Sequence, residues 1–429
     1  MVNLVKDFKK EKTKVKEYWH MLGPGLTTGA ADDDPSGITT YSQAGAVLGY
    51  KMLWTALVTF PFMAVVQEMC ARIGIVTGRG LASNIRLNFP RWVLYLTAIL
   101  LLVANTFNIA ANLAMMSEAT KLLLPWMNLL VLVVLFTLGS LWMQIVLSYK
   151  RYARYLKWLA VFLGVYVVAA FSVKINWAEA IPSTLLPDIS FSKNELLLLT
   201  AVLGTTISPY LFFWQTSQEV EEQILEGKTT IKQRAAITTP ADVKKMRTDV
   251  WTGMFLSNLV MYFIIAVCAS TLHQSGITGL TSAREVAEAL KPLAGNAAYL
   301  FFTLGIIGTG LLSVPVLAGS SSYAISESFG WREGLYRKFK QAHAFYGVII
   351  FSMLVGVAIN FLKLDAVKML IYSAVLNGLI APFILLLIVL LASKQKLMNQ
   401  WVNRPATTFV GFLIVLLMTG VAILTIISL

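Results

Sequence analysis

The chain has 429 residues, 57% of them hydrophobic and 13% charged, and its 35 lysine and arginine residues outnumber 22 aspartate and glutamate residues for a net charge of +13. Apolar runs of about twenty residues, the length that crosses a bilayer as helix, recur along it and exclude a single soluble domain. The positive charge is scattered between those runs, which argues against a nucleic-acid partner, and Cys70 and Cys268 lie far apart in apolar stretches, which argues against a disulfide or thiolate metal site.

Residues 1–20, with Lys6, Lys9, Lys10, Lys12, Lys14 and Lys16, read as a retained cytoplasmic basic tail. Spans are expected near 21–48, 51–77, 92–116, 125–147, 152–173, 194–224, 249–272, 294–325, 344–362, 367–392 and 407–428, eleven in all. With the N-terminus inside, 27 of the 35 basic residues fall on cytoplasmic segments. By the positive-inside rule that bias sets the orientation and puts the C-terminus outside, across a plasma (inner) membrane. Trp19, Trp54, Trp126, Trp158 and Trp401 stand near span ends as interfacial anchors.

The first span contains Ala31-Asp32-Asp33-Asp34-Pro35-Ser36-Gly37. A single Asp at mid-membrane depth costs about 2.5–3.5 kcal/mol on insertion scales, and Pro35 removes a helical hydrogen bond. Such a stretch belongs where a broken helix lines a polar cavity, and its acidic oxygens suit a hard cation. In the sixth span, Gly204-Thr205-Thr206-Ile207-Ser208-Pro209-Tyr210 makes a second interruption. Breaks five spans apart point to an inverted repeat, residues 21–173 against 194–392, with a peripheral eleventh helix in 393–429. Among the remaining acidic residues, Glu68 reads as an i,i+4 partner of Arg72, and Glu219, Glu221 and Glu222 as a solvated helix end or an acidic lining of the inner pathway. No nucleophile-and-base arrangement or nucleotide loop is present, so an enzyme is not expected.

Gly23-Pro24-Gly25 followed by Asp34-Pro35-Ser36-Gly37 resembles the first helix of the Nramp divalent-metal transporters, whose motif there is Asp-Pro-Gly-Asn. Ala71-Arg72-Ile73-Gly74-Ile75-Val76-Thr77-Gly78, Gly204 to Pro209, and Leu379-Ile380-Ala381-Pro382-Phe383 extend the resemblance through ten spans. It implies an all-α polytopic membrane protein of LeuT-like fold: a 5+5 inverted repeat with discontinuous helices 1 and 6, plus an eleventh helix, working by alternating access. Asp34 falls on the family's metal-binding Asp, Gly37 on its Asn, Thr205 on an Ala whose carbonyl contributes, Ser208 on its Met, and Tyr210 on the His two residues on. Asn105 and Asn108 align with the acidic pair that carries protons in the family, Gln215 with a second span-six His, and Ala374 with a metal-facing Gln. These departures resemble the Nramp-related magnesium transporters.

A thioether suits soft metals, whereas carboxylate, hydroxyl and water suit a hard ion. Mg2+ keeps several waters and takes one or two carboxylates, so exchanging Asn and Met for Gly37 and Ser208 is expected to widen the cavity around a partly hydrated ion. The expected metal site is Asp34, Gly37, Thr205, Ser208 and Asp33, with Thr206, Tyr210, Asn105, Asn108, Asp32, Gln215 and Ala374 along its cavity or pathway. The expected function is import of Mg2+, and also Mn2+, without proton coupling; both ions are cargo, and no cofactor is expected. Beyond the ion and the bilayer no partner is expected, and the chain is taken as a monomer. The alternatives are a proton-coupled Mn2+ or Fe2+ symporter and a sodium-coupled organic-solute transporter.

Overall fold

The computed structural model describes residues 22–428, apart from 160–163, 237, 278, 289–294, 296–297 and 363. The lysine-rich tail, Lys291 and Lys363 lie outside the described residues. All the regular structure described is helical. The first span is α1 (Pro24–Asp32) and α2 (Pro35–Leu48), followed by α3 (Leu53–Thr77), α4 (Arg91–Leu123) and α5 (Leu129–Val146); α6 (Tyr149–Leu159) and α7 (Gly164–Ser172) fall in the fifth. The sixth span is α8 (Lys193–Thr206) and α9 (Pro209–Leu225), followed by α10 (Pro240–Cys268), α11 (Ala298–Phe329), α12 (His343–Asn360), α13 (Ala366–Ala392) and α14 (Pro405–Ser428).

Both interruptions have one cause. Asp34 and Ser208 are non-helical N-cap residues, and Pro35 and Pro209 occupy the first helical position after them. There proline's fixed φ suits the helix and its missing N–H costs nothing. The prolines therefore start the second half-helix of each span rather than kinking a continuous one.

Among the described residues, nine helical runs are long and apolar enough to cross a membrane. One of them, Pro35–Thr77, joins α2 and α3. Their partners on α10 show that these are two spans. In chain order along the first, Gly25 abuts Val250, Asp32 accepts a hydrogen bond from Ser257, and Gly45 abuts Ile265 and Cys268, so α1 and α2 run parallel to α10. Along α3, Thr59 bonds Asn258 and Glu68 bonds Arg247 and Trp251, so α3 runs antiparallel. The chain reverses at Gly49, whose φ of +61° is the left-handed region that suits glycine. Pieces α6 and α7 of the fifth span are each shorter than a full crossing.

The two halves pack reciprocally. The broken first span lies on α10, the second span of the other half; the broken sixth span lies on α3, where Thr216 donates to the Cys70 carbonyl and a Cβ at Gly74 would stand 2.5 Å from the Thr216 carbonyl. The third spans of the two halves, α4 and α11, pair antiparallel: Asn105 donates to the Leu317 carbonyl at one end, and Thr303 to the Ala119 carbonyl at the other. This is the expected inverted repeat. Helix α14 lies against α13 and α8, with Gly411 on Val389 and Thr425 bonded to Thr200, and leaves Phe409 and Leu416 exposed.

The largest difference from an expected boundary is at the seventh span. Helix α10 starts at Pro240 and not near 249, because Thr239 and Asp242 form a reciprocal capping box that pulls the charged residues Lys244, Lys245 and Arg247 into the helix. Hydropathy sees only the apolar part of such a helix.

Candidate metal site

Asp34 lies where the two breaks meet, with its carboxylate held on both oxygens. The Gly37 N–H donates to Oδ1 at 2.7 Å, and the Asn112 side-chain amide on α4 donates to Oδ2 at 2.9 Å. The Asn112 amide also donates to the side-chain oxygen Oδ1 of Asn108 at 3.4 Å, which accepts from the Ser373 hydroxyl on α13 at 3.1 Å; Ser36 in turn donates to the Leu370 carbonyl. Asp34 is therefore surrounded by neutral amides and hydroxyls from three spans. Gly37 is required by packing: a Cβ there would stand 2.8 Å from the Asp32 carbonyl and 3.5 Å from Thr205 Oγ1.

The three consecutive carboxylates diverge. Asp34 faces α4, whereas Asp32 turns to α10, where Ser257 donates to its Oδ2 at 2.8 Å. Neither oxygen of Asp33 makes a close hydrogen bond, nor does Asp32 Oδ1, although both residues are fully buried. Among the described residues no three His, Cys, Asp or Glu side chains converge as a metal centre.

The other expected positions divide into two groups. Thr205, Thr206, Ser208 and Tyr210 lie at the second break beside the first. Ser208 Oγ donates back to the Gly204 carbonyl at 2.6 Å, Thr206 Oγ1 donates to the Val202 carbonyl, Tyr41 bonds Thr206, and Tyr210 donates to the Ala31 carbonyl at the end of α1. Asn108 joins the Asp34 network. By contrast, Asn105 is turned to α11, bonding Ser320, Ser321 and the Leu317 carbonyl; Gln215 donates to Glu219; and Ala374 packs its backbone against Gly204 of α8.

The expected widening at Asp34 is absent in this conformation. Asp34 and Ser208 are 1% and 0% exposed, because Gly37, Tyr41 and the Thr205–Thr206 turn close on them. A cavity of about 630 Å³ lies instead at the other end of α1, lined by Gly23, Thr27, Glu219, Glu222, Glu226 and Asp249 among others. Asp249 of α10 accepts from the N–H groups of Gly23, Gly25 and Leu26, capping α1 from a neighbouring helix. That anion on the positive end of the helix dipole binds α1 to α10 at the mouth of the cavity.

At the same end, Glu68 makes the expected i,i+4 ion pair with Arg72 at 3.8 Å and adds Arg247 at 2.8 Å and the Trp251 indole N–H, because α3 and α10 lie side by side. Glu221 is not solvated: it accepts from the Tyr323 hydroxyl and from the Leu335 and Tyr336 N–H groups, tying α9 to the loop after α11. In that loop, burial and the neighbouring Glu327 and Glu221 push the Glu333 carboxyl up to about 9, against the lowering pull of Arg337 and Arg234.

Sequence reasoning missed Asn112, Ser257 and Asp249. Asn112 did leave a signal, since Asn105, Asn108 and Asn112 fall at helical spacing on one stripe of α4. Nothing local to residues 249–257 announces a partner more than two hundred residues away.

The family model for natural resistance-associated macrophage protein-like sequences matches residues 25–428. The chain belongs to the Nramp family. Curated relatives include the Divalent metal cation transporter MntH of Aeromonas hydrophila, 26% identical over 93% of both chains, and that of Yersinia enterocolitica, 27% identical over 95% of both. Among solved structures, the Eremococcus coleocola manganese transporter superposes with a TM-score of 0.73 at 18% identity, covering 96% of this chain and 87% of that one. Mhp1, a nucleobase-cation-symport-1 transporter, superposes at 0.53 with 14% identity, covering 95% and 93%. These superpositions establish the shared fold of this Nramp protein.

Proposed function

We propose that this Nramp protein is a multi-pass transporter of divalent cations that imports Mg2+, and also Mn2+, as a partly hydrated ion through Asp34, without moving protons. The observation that carries the reading is the setting of Asp34: a buried carboxylate whose side-chain partner is an amide, Asn112, with Asn108 next to it and the hydroxyl of Ser208 at the opposing break. Oxygen donors of this kind suit a hard ion. Amides release no proton near neutral pH. In this reading Asp34, Gly37, Thr205 and Ser208 hold the ion, with Asp33 next along its path. With the N-terminus cytoplasmic and the C-terminus outside, the sealed site and the cavity at the start of α1 are one stage of alternating access, in which the inner side is partly open. Residues 21–173 and 194–392 are the repeats, residues 1–20 and 393–429 flank them, and the unit works as a monomer.

Inward movement of a divalent ion gains about 4.6 kcal/mol per 100 mV, twice the single-charge value. That corresponds to more than a thousandfold accumulation and suffices for an abundant ion. The second reading is proton-coupled Mn2+ uptake; its choice of ion, though not its coupling, is favoured by a neighbour named a manganese transporter and by the Met261 sulfur 3.8 Å from Thr206 Oγ1.

Liposomes containing the purified protein and a pH dye separate the two. Mg2+ uptake that follows the imposed potential with no change of internal pH is expected. Acidification in step with uptake, or Mn2+ uptake that Mg2+ does not compete with, would establish the second reading.

A further inference from the structure

Three carboxylates in a row exceed what one partly hydrated divalent ion needs, and they do not point to one place. Asp34 is bound towards α4 by Asn112, and Asp32 is bound towards α10 by Ser257. On the Asp32 side, where the Ser257 hydroxyl also approaches Asp33, Asp32 Oδ1 and both oxygens of Asp33 are buried without a close hydrogen bond. Leaving ionised carboxylates unpaired away from water carries a large desolvation cost, and orphaned oxygens of this kind mark the place of a missing partner.

The backbone adds to the same field. Asp32 is the last residue of α1 and Asp33 its C-cap, so both sit at the negative end of that helix dipole. Two carboxylates, a helix C-terminus and the Ser257 hydroxyl make an oxygen site with two negative charges, which a hard divalent cation with retained waters balances.

From this geometry we infer that Asp32, Asp33 and Ser257 form a second divalent-cation subsite, on the α10 side of the first break and separate from the Asp34 subsite on the α4 side. The inference rests on the transport reading above and adds a relay to it. Thr27 lines the cavity at the start of α1, and Asp32 follows five residues later on the same helix, about 7.5 Å along its axis at 1.5 Å per residue. The second subsite therefore lies between Asp34 and the cavity. An ion arriving at Asp34 repels one resting at Asp32 and drives it along α1 towards the cavity, whose rim bears Glu219, Glu222 and Asp249.

The test is a binding stoichiometry. Purified full-length protein in lipid nanodiscs is titrated with Mn2+, and free ion is followed by its room-temperature electron paramagnetic resonance signal; thermal melting confirms that each variant is folded. The expected result is two ions per chain for the unaltered protein and one for each of Asp32→Asn and Asp34→Asn. Ser257→Ala, which keeps all three carboxylates, is expected to retain two ions with one weakened about tenfold. One ion per chain that Asp32→Asn and Asp34→Asn each abolish would mean a single shared site and overturn the relay, as would two ions remaining in Asp32→Asn. Failure of the transport reading looks different: no Mn2+ binding at all, or both ions retained in Asp34→Asn.

Discussion

Asp34→Asn is expected to reduce Mg2+ and Mn2+ uptake into liposomes by at least about a hundredfold while leaving the fold in place. The amide keeps an oxygen to accept the Gly37 N–H at the start of α2, and its loss of charge removes the ion's direct ligand rather than the helix cap. Groups that only orient a metal ligand are worth about 10- to 100-fold, so a ligand itself should exceed that range. Uptake that persists within a few-fold of the unaltered protein, with Asn at 34, would place the ion elsewhere.

Gly204→Ala is expected to have the largest effect on stability. A Cβ at Gly204 would stand 2.1 Å from the Ala374 carbonyl oxygen and 2.3 Å from the Gly378 nitrogen. Both are backbone, so no side chain can rotate away, and α8 must shift from α13. Forcing extra volume into a closed interface costs about 1–3 kcal/mol and occasionally more; here backbone stands on the far side, so the upper end of that range applies. The shift also moves the second break, which α8 ends in. The matched control is Gly347→Ala on α12, where a Cβ meets nothing within 4 Å and alanine's better helix propensity leaves stability equal or slightly raised. Thermal melting of the two purified variants, followed by size-exclusion recovery, checks the contrast, and equal melting temperatures would contradict it.

The fold was largely legible because its signals are local. Length and hydropathy mark the spans, and Asp34-Pro35 and Ser208-Pro209 each combine a capping residue with a proline suited to the first helical position. The same locality explains Asp34, since an intramembrane carboxylate beside a break has few other uses. What stayed hidden depends on which helix lies opposite. Asn105 and Asn108 look alike on α4, yet one turns to α11 and the other to the Asp34 network. The pairing of Asp32 with Ser257 and the capping of α1 by Asp249 arise only when α10 is laid along the first span. The roomy site inferred from Gly37 and Ser208 was an argument about side-chain volume alone. The backbone closed the space that the smaller side chains left, bringing the Asp32 carbonyl against Gly37 and the Ser208 hydroxyl onto the end of α8.

The most direct measurement is the anomalous diffraction of Mn2+ in crystals grown with the ion. The expected map has a peak within about 2.1 Å of an Asp34 oxygen, the distance set by small hard divalent ions, with ordered water completing most of its coordination. A map with no peak at Asp34, or with a peak stripped of water and bound through methionine sulfur, would contradict a hard ion carried with part of its hydration between the two broken helices.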